Sequence, residues 1–253
     1  SDVCSSDLCS DMQGKLWIGT DGGGINVFEN GKRTAIYNKE NGKLMSNSVL
    51  CSLKDSENNL WFGTYLGNIS HYNKQSGEFK TIELEKGKLL DIRTFYEDQE
   101  KNIWIGTHKG IYVFSLSKKK VVKHYNTLNC QLPENLVRSI AQDDKGRFWI
   151  GTFGGGIGVY TPQMQLIKKF NQYEGFCSNT INSIYLSKSK QVWVATGEGL
   201  VCFPTSDSFD YQIFQREEGL PNTHIRAITE DENSNIWVST NTGISCYIIA
   251  QKR

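Results

Sequence analysis

The chain has 253 residues, with 28 Lys and Arg against 27 Asp and Glu and a formal net charge of +1. Such a balance, without a Lys/Arg-rich face interleaved with aromatics, gives no support to nucleic-acid binding. No apolar run approaches the roughly 18 residues that cross a bilayer, while 38% hydrophobic and 11% aromatic residues are enough to bury a large core.

The chain opens on Ser1-Asp2-Val3-Cys4-Ser5-Ser6-Asp7-Leu8, which matches the in-frame translation of a common short-read sequencing adapter. Residues 1–8 are therefore expected to be a non-native leader, with the natural chain resuming at Cys9 inside a repeat whose first strand is missing. From there to residue 249 the sequence follows one ruler. Trp17, Trp61, Trp104, Trp149, Trp193 and Trp237 are separated by 44, 43, 45, 44 and 44 residues. A period of that length belongs to β-propeller blades or to helical repeats, and local sequence decides between them.

Around each Trp the chain reads LWIGTDGGG, LWFGTYLGN, IWIGTHKGI, FWIGTFGGG, VWVATGEGL and IWVSTNTGI. Apolar residues flank each Trp, giving a short run of β-formers bounded by turn residues, the pattern of a strand buried on both faces. Thr follows three residues later in every unit (Thr20, Thr64, Thr107, Thr152, Thr196, Thr240) and Gly six later (Gly23, Gly67, Gly110, Gly155, Gly199, Gly243). The residue two after the Trp is Gly four times, then Ala195 and Ser239. It shares a face with the Trp, and its smallness leaves room for a neighbouring sheet. Gly at the sixth place is expected to take positive φ where the chain turns back.

An Asp stands six residues before the Trp in five units (Asp11, Asp55, Asp98, Asp143, Asp231), with Ser187 in the fifth unit. A short Asp side chain there ties down a hairpin by accepting backbone amides two residues on. Five carboxylates spaced once per repeat do not converge on one catalytic or calcium site. Before the Asp lies another strand, VLCSL, LDIRTFY, NLVRSIA, NTINSIY or HIRAITE, and a more polar one follows, KTIEL, VVKHY, LIKKF or YQIF. Four short strands per repeat and no sustained helical periodicity predict an all-β propeller of four-stranded blades. The first unit lacks its inner strand and the last stops after its third, at Ile248-Ile249, with 250–253 a tail. Six repeat units of a partial ring are expected, four of them complete, with apolar faces uncovered at both ends.

Seven cysteines are scattered without C-x-x-C spacing, and Cys202 and Cys246 take nearly equivalent sites in successive units. Such sites lie too far apart for a disulfide, so buried free thiols are expected. His71, His108, His124 and His224 occupy different repeat positions, which argues against a metal centre. No cofactor is expected.

The phrase Glu218-Gly219-Leu220-Pro221-Asn222 running on to Ile225, Ile228, Asp231 and Ile236-Trp237-Val238-Ser239-Thr240 closely resembles the two-component regulator propeller repeat, and similar phrases recur at 131–135 and 174–179. The resemblance covers essentially residues 9 to 247. It implies the extracytoplasmic, periplasmic sensor region of a hybrid histidine kinase, whose propellers are typically seven-bladed and many of which detect oligosaccharides from polysaccharide breakdown. Kinase and receiver domains lie outside this segment. The parent's remaining domains, and a second receptor copy, are the implied partners.

Propellers bind ligands at one mouth of the channel, where the turns after the Trp strand gather. The residues four past each Trp are Asp21, Tyr65, His108, Phe153, Gly197 and Asn241. Variable residues on a constant scaffold suit recognition, with aromatic faces for a sugar ring and polar groups for its hydroxyls. Arg93, Arg138 and Arg226 recur eleven residues before their Trp on the innermost strand, where guanidinium groups either meet an acidic ligand or pair with scaffold carboxylates. The segment reads as a non-catalytic sensor. The alternatives are a propeller enzyme, with His108 or His224 as the base of a lyase or a sialidase-like Tyr/Glu pair, and a protein-association scaffold.

Overall fold

The structure, a computed structural model, describes residues 8–204 and 208–248. The chain divides into two compact units, Ser1–Tyr125 and Asn126–Arg253, each carrying three blades. In the first unit, blade 1 contains β1 (Leu8–Ser10), β2 (Leu16–Thr20), β3 (Gly24–Glu29) and β4 (Lys32–Tyr37). Blade 2 contains β5 (Val49–Lys54), β6 (Leu60–Thr64), β7 (Ile69–Asn73) and β8 (Glu78–Ile82). Blade 3 contains β9 (Ile92–Glu97), β10 (Asn102–Thr107), β11 (Gly110–Ser115) and β12 (Lys120–Tyr125).

In the second unit, blade 4 contains β13 (Val137–Gln142), β14 (Phe148–Thr152), β15 (Ile157–Tyr160) and β16 (Leu166–Phe170). Blade 5 contains β17 (Ile181–Leu186), β18 (Val192–Thr196), β19 (Gly199–Phe203) and β20 (Gln212–Phe214), and blade 6 has β21 (Ile225–Glu230), β22 (Ile236–Thr240) and β23 (Ile244–Tyr247). Each blade is an antiparallel meander in chain order, and the fold is an all-β propeller. Among the described residues, five blades have four strands and the last has three. The expected gap at the start is corrected: β1 pairs with β2 through Leu8↔Ile18, Cys9↔Trp17 and Ser10↔Leu16, so blade 1 has its inner strand, if a short one. Of the expected leader, residues 1–7 lie outside the described residues and Leu8 is part of that strand. The tail 250–253 also lies outside them.

The second strands of blades 2, 4 and 5 are buried along their whole length. Within a unit each Trp packs on the following blade. Trp17 meets Tyr72 and Phe79, Trp61 meets Phe95 and Phe114, Trp149 meets Phe203 and Phe209, and Trp193 meets Tyr247. Trp237, in blade 6, is 40% exposed while the other five are buried. The expectation of apolar surface at the terminal blades therefore holds for Trp237, Ile244 and Ile248, as it does for Leu8, Met12 and Leu16 in blade 1.

The repeat's fixed polar residues form one hydrogen-bonded module. The Asp Oδ2 accepts the indole N–H of its Trp at 3.1, 2.8, 2.7, 2.9 and 2.9 Å in blades 1, 2, 3, 4 and 6. Its Oδ1 accepts the amides two and four residues on, as Asp55 does from Glu57 and Asn59. In blade 5, Ser187 accepts the Gln191 amide at 3.0 Å but does not reach the indole, and Trp193 Nε1 is buried without a partner. The Thr hydroxyl donates to the carbonyl three or four residues on, closing the turn after the Trp strand at 2.8 to 2.9 Å in all six blades.

Small residues are explained by space more often than by φ. A Cβ on Gly63 would stand 2.5 Å from Cys51 Sγ and 2.6 Å from Ile92 Cγ2, and one on Gly151 2.5 Å from Ile181 Cγ2, so the next blade's inner strand does press on this position. The expectation for the sixth place needs correction. Gly110 and Gly199 have positive φ, but Gly23, Gly67, Gly155 and Gly243 do not. At Gly23 and Gly67 a Cβ would meet the Thr hydroxyl at 2.6 and 2.4 Å, and at Gly155 the Pro133 carbonyl at 2.5 Å. In blades 1 and 4 positive φ falls one residue later, on Gly24 and Gly156.

All six described cysteines are free, and Cys51, Cys130 and Cys202 are buried. Burial pushes the Cys202 thiol up to about 12.

Candidate functional site

The inner strands of blades 2 to 6 each carry one irregularity in the same place. The register to the second strand slips between Val49 and Cys51, between the partners of Ile92 and Thr94, between Val137 and Ser139, Ile181 and Ser183, and Ile225 and Ala227. The skipped residues are Leu50, Arg93, Arg138, Asn182 and Arg226. A bulge re-aims its side chain away from the regular alternation of the sheet, and here it presents the three predicted arginines. Asn182 holds the same position in blade 5. An Asn at this position breaks the Arg pattern of blades 3, 4 and 6, so the sequence does not mark it.

In the first unit these residues meet the variable turns. Arg93 NH2 donates to Asp91 Oδ2 at 3.0 Å, and its guanidinium carbon lies 5.9 Å from the centre of the Tyr65 ring. Asp91 Oδ1 accepts the Leu66 amide at 3.0 Å, and the Asp91 amide donates to His108 Nδ1 at 3.2 Å. Tyr65, His108, Arg93 and Asp91 thus form one cluster, with Tyr65 47% exposed. Asp21 is held by the Ser48 hydroxyl, which donates to Oδ1 at 2.6 Å, and the Tyr65 amide donates to the Ser48 carbonyl at 2.9 Å. Asp91 and Ser48 carry no repeat signature, and only their contacts reveal them.

In the second unit Arg138 lies over Phe153, 4.2 Å from the ring centre, and donates to Asn182 Oδ1 at 2.8 Å. Asn182 Nδ2 donates to the Ile225 carbonyl at 2.7 Å and stands 3.5 Å from His224 Nε2. Phe153 is 46% exposed. Arg226 Nε donates to Asn241 Oδ1 at 2.6 Å, so the two candidate residues of blade 6 meet. Pairing with a scaffold carboxylate holds for Arg93. Arg138 and Arg226 bond the side-chain amides of Asn182 and Asn241.

Chemically, each unit offers half-exposed aromatic surface backed by a guanidinium, with amide and hydroxyl groups fixed beside it. A Tyr/Glu pair does exist elsewhere, where the Tyr112 hydroxyl donates to Glu85, but Tyr112 is 2% exposed. Lys88 and Tyr112 hold the Glu85 carboxyl down at about 2, while burial and that carboxylate push Tyr112 up. That polarisation keeps the phenol protonated, the opposite of what a nucleophile requires.

The two component regulator propeller family matches residues 1–22, 43–66, 88–109, 131–154 and 219–242. The unit around Trp193, where Ser187 and Ala195 depart from the pattern, lies outside those segments. No curated protein matches the chain. Among solved structures, the chain is similar to the extracellular domain of the hybrid two component system BT3049 from B. thetaiotaomicron, at 72% identity and a TM-score of 0.92, over 98% of this chain and 33% of that one. It is also similar to the extracellular domain of BT4673 from the same organism, at 21% identity and a TM-score of 0.78, over 95% of this chain and 34% of that one. The chain thus spans about one third of the length of these relatives. Virginiamycin B lyase from Staphylococcus aureus shares the fold at 18% identity and a TM-score of 0.70, over 98% of this chain and 87% of that one. The recurrent Asp, Trp, Thr and Gly module, the segments the family matches and these neighbours agree: the chain is built of two component regulator propeller repeats and belongs to that family.

Proposed function

We propose that this chain is part of the extracytoplasmic, periplasmic sensor region of a hybrid two-component receptor, and that it recognises oligosaccharides released during polysaccharide breakdown without transforming them. The kinship with extracellular domains of such systems supports the sensor role. The observation that carries the ligand class is the pairing of an exposed aromatic with a bulge-borne arginine in both units, Tyr65 with Arg93 and Phe153 with Arg138. An aromatic face suits the apolar C–H face of a pyranose; in the first unit Asp21 and His108, and in the second Asn241, supply partners for hydroxyls. The guanidinium groups of Arg138 and Arg226 add recognition of a carboxylate or sulfate substituent.

The test is a glycan array on the extracellular region containing this chain, followed by titration of the hits against Tyr65→Ala, Phe153→Ala and Arg138→Ala. Binding of one oligosaccharide without turnover, weakened by the aromatic substitutions, is expected. Unchanged affinity in all three variants refutes this placement of the site. Turnover of the bound glycan identifies an enzyme, and self-association with no glycan bound identifies a scaffold.

A further inference from the structure

Two residues before the bulged one, the inner strands of blades 2 to 6 are led by Ser48, Asp91, Leu136, Thr180 and His224. In the first unit this place faces the turn of the preceding blade. The Ser48 hydroxyl donates to Asp21, and Asp91 Oδ1 accepts the Leu66 amide. Of the three blades with a bulged arginine, only blade 3 has a carboxylate here. Arg93 NH2 meets Asp91 Oδ2 at 3.0 Å, with the two side chains 25% and 11% exposed, and Arg93 Nε is buried without a partner. The contact from Asp91 to His108 Nδ1 uses the backbone amide and not the carboxylate.

A guanidinium grips a carboxylate or sulfate by presenting two parallel N–H groups, and in blade 3 a carboxylate of the protein itself already takes one side of that fork. Largely shielded from water, the Asp91 carboxylate repels an approaching anion about as strongly as Arg93 attracts it. The neighbouring cations offer no substitute. Lys88 bridges to Glu85, and Lys109 acts on the same carboxylate. In the adjoining turn Asp21, held by Ser48, adds a further negative charge.

We infer that Asp91 sets the charge selectivity of the first unit's cluster: by holding Arg93 in an internal ion pair, it makes the cluster a site for an uncharged sugar residue and turns away uronate and sulfated ones. The selectivity rests on the oligosaccharide reading of this cluster, in which Tyr65 offers its face to the ring while His108 and Asp21 meet hydroxyls. Arg93 then backs the Tyr65 ring, 5.9 Å from its centre, and grips no charge of the ligand. Asn in place of Asp91 is the discriminating change. Its Oδ1 still accepts the Leu66 amide and its backbone still donates to His108. The side-chain NH2 that it turns toward Arg93 cannot accept a hydrogen bond, so the guanidinium is released to an anion.

A glycan array carrying each neutral oligosaccharide beside its uronate and sulfated forms tests this on the extracellular region containing the chain, counting only binding that falls in Tyr65→Ala. The unmodified protein is expected to favour neutral over acidic forms by about 10-fold or more, and Asp91→Asn to narrow that ratio by about 10-fold, a gain that adding Arg93→Gln abolishes. Independently of any glycan, sodium sulfate is titrated into the chain while NMR follows the Arg93 Nε–H resonance, assigned through Arg93→Gln. Sulfate should shift it saturably in Asp91→Asn and leave it in place in the unmodified protein. Tyr65-dependent binding of acidic forms as tight as neutral ones, an unchanged ratio in folded Asp91→Asn, or an equal sulfate shift in both proteins overturns the inference. If no glycan depends on Tyr65, the oligosaccharide reading fails and the sulfate titration alone decides whether Asp91 keeps anions from Arg93. If circular dichroism shows that Asp91→Asn does not fold, the unmodified protein decides: a saturable sulfate shift at Arg93 overturns the inference, and an unmoved resonance supports it.

Discussion

Blade 5 contains a natural deletion of one hydrogen bond, and restoring it tests the account of the repeat. Trp193 is 1% exposed and its Nε1 has no partner, while its counterparts donate to an Asp at 2.7 to 3.1 Å. An orphaned buried donor costs about 1–3 kcal/mol, and a hydrogen bond to a charged acceptor contributes about 1.5–3 kcal/mol. Against this stands burial of a new carboxylate at a site where Ser187 is 3% exposed. Glu230 lies close by, since its Oε2 accepts the Lys188 amide at 2.8 Å. Blade 2 shows that the same surroundings tolerate an Asp. There Asp55 is 2% exposed beside Glu97, whose Oε2 accepts the Ser56 amide at 2.7 Å. Ser187→Asp is therefore expected to stabilise the protein by about 1–2 kcal/mol at neutral pH, raising Tm by about 2–8 °C for a chain of this size. Chemical and thermal unfolding measure the effect, and a double-mutant cycle with Trp193→Phe isolates its cause. In the Phe background no N–H awaits the carboxylate, and the gain should vanish or reverse. An equal gain in both backgrounds, or a loss with Trp193 present, refutes the reasoning.

Asp143→Ala removes the acceptor of the Trp149 indole, the Lys145 and Arg147 amides and the Arg147 guanidinium, and should cost about 3 kcal/mol or more in urea unfolding. Gly63→Ala should lower stability by about 1–3 kcal/mol by forcing Cys51 and Ile92 apart, whereas Gly14→Ala, with open space but positive φ, loses less, as thermal scans of the pair will show. The Trp237 indole and the Asn235 side chain hold Asp231 down at about 2. For Asp11, burial pushes upward but the Trp17 indole and the Lys15 and Gln13 amides outweigh it and keep the group below its ordinary 3.8. Carboxyls depressed on folding stabilise the protein fully above their unfolded values, so unfolding midpoints measured from pH 5 down to pH 2 should fall progressively through that window. With its thiol at about 12 and 3% exposed, Cys202 should resist alkylation at pH 8 until the protein is denatured, a difference that mass spectrometry reads directly.

Much of the blade was legible in the sequence because its determinants repeat and act locally. The spacing from Asp to Trp places a carboxylate beside an indole on the same hairpin, and the Thr hydroxyl closes the turn that follows within four residues. The indole bond itself escaped notice, although an Asp always six residues before a Trp is its signature. Positive φ was assigned to the wrong residue in blades 1 and 4, where consecutive glycines, Gly23-Gly24 and Gly155-Gly156, leave the sequence silent on which one turns. The short β1 was missed because three residues beside an odd leader carry no pattern.

The sequence alone determined the repeat, the strand order within each blade, the residues that hold the hairpins and the varying positions in which recognition is to be sought. These rest on contacts a few residues apart, which a linear pattern records. Only the tertiary structure decided that Arg93 shares Asp91 with the turn of blade 2, that Arg138 lies on Phe153 beside Asn182, and that the His71 ring packs on Trp61. Those outcomes depend on how one blade packs against the next and on single bulged residues. Contacts separated by a whole repeat leave no periodic trace in the chain.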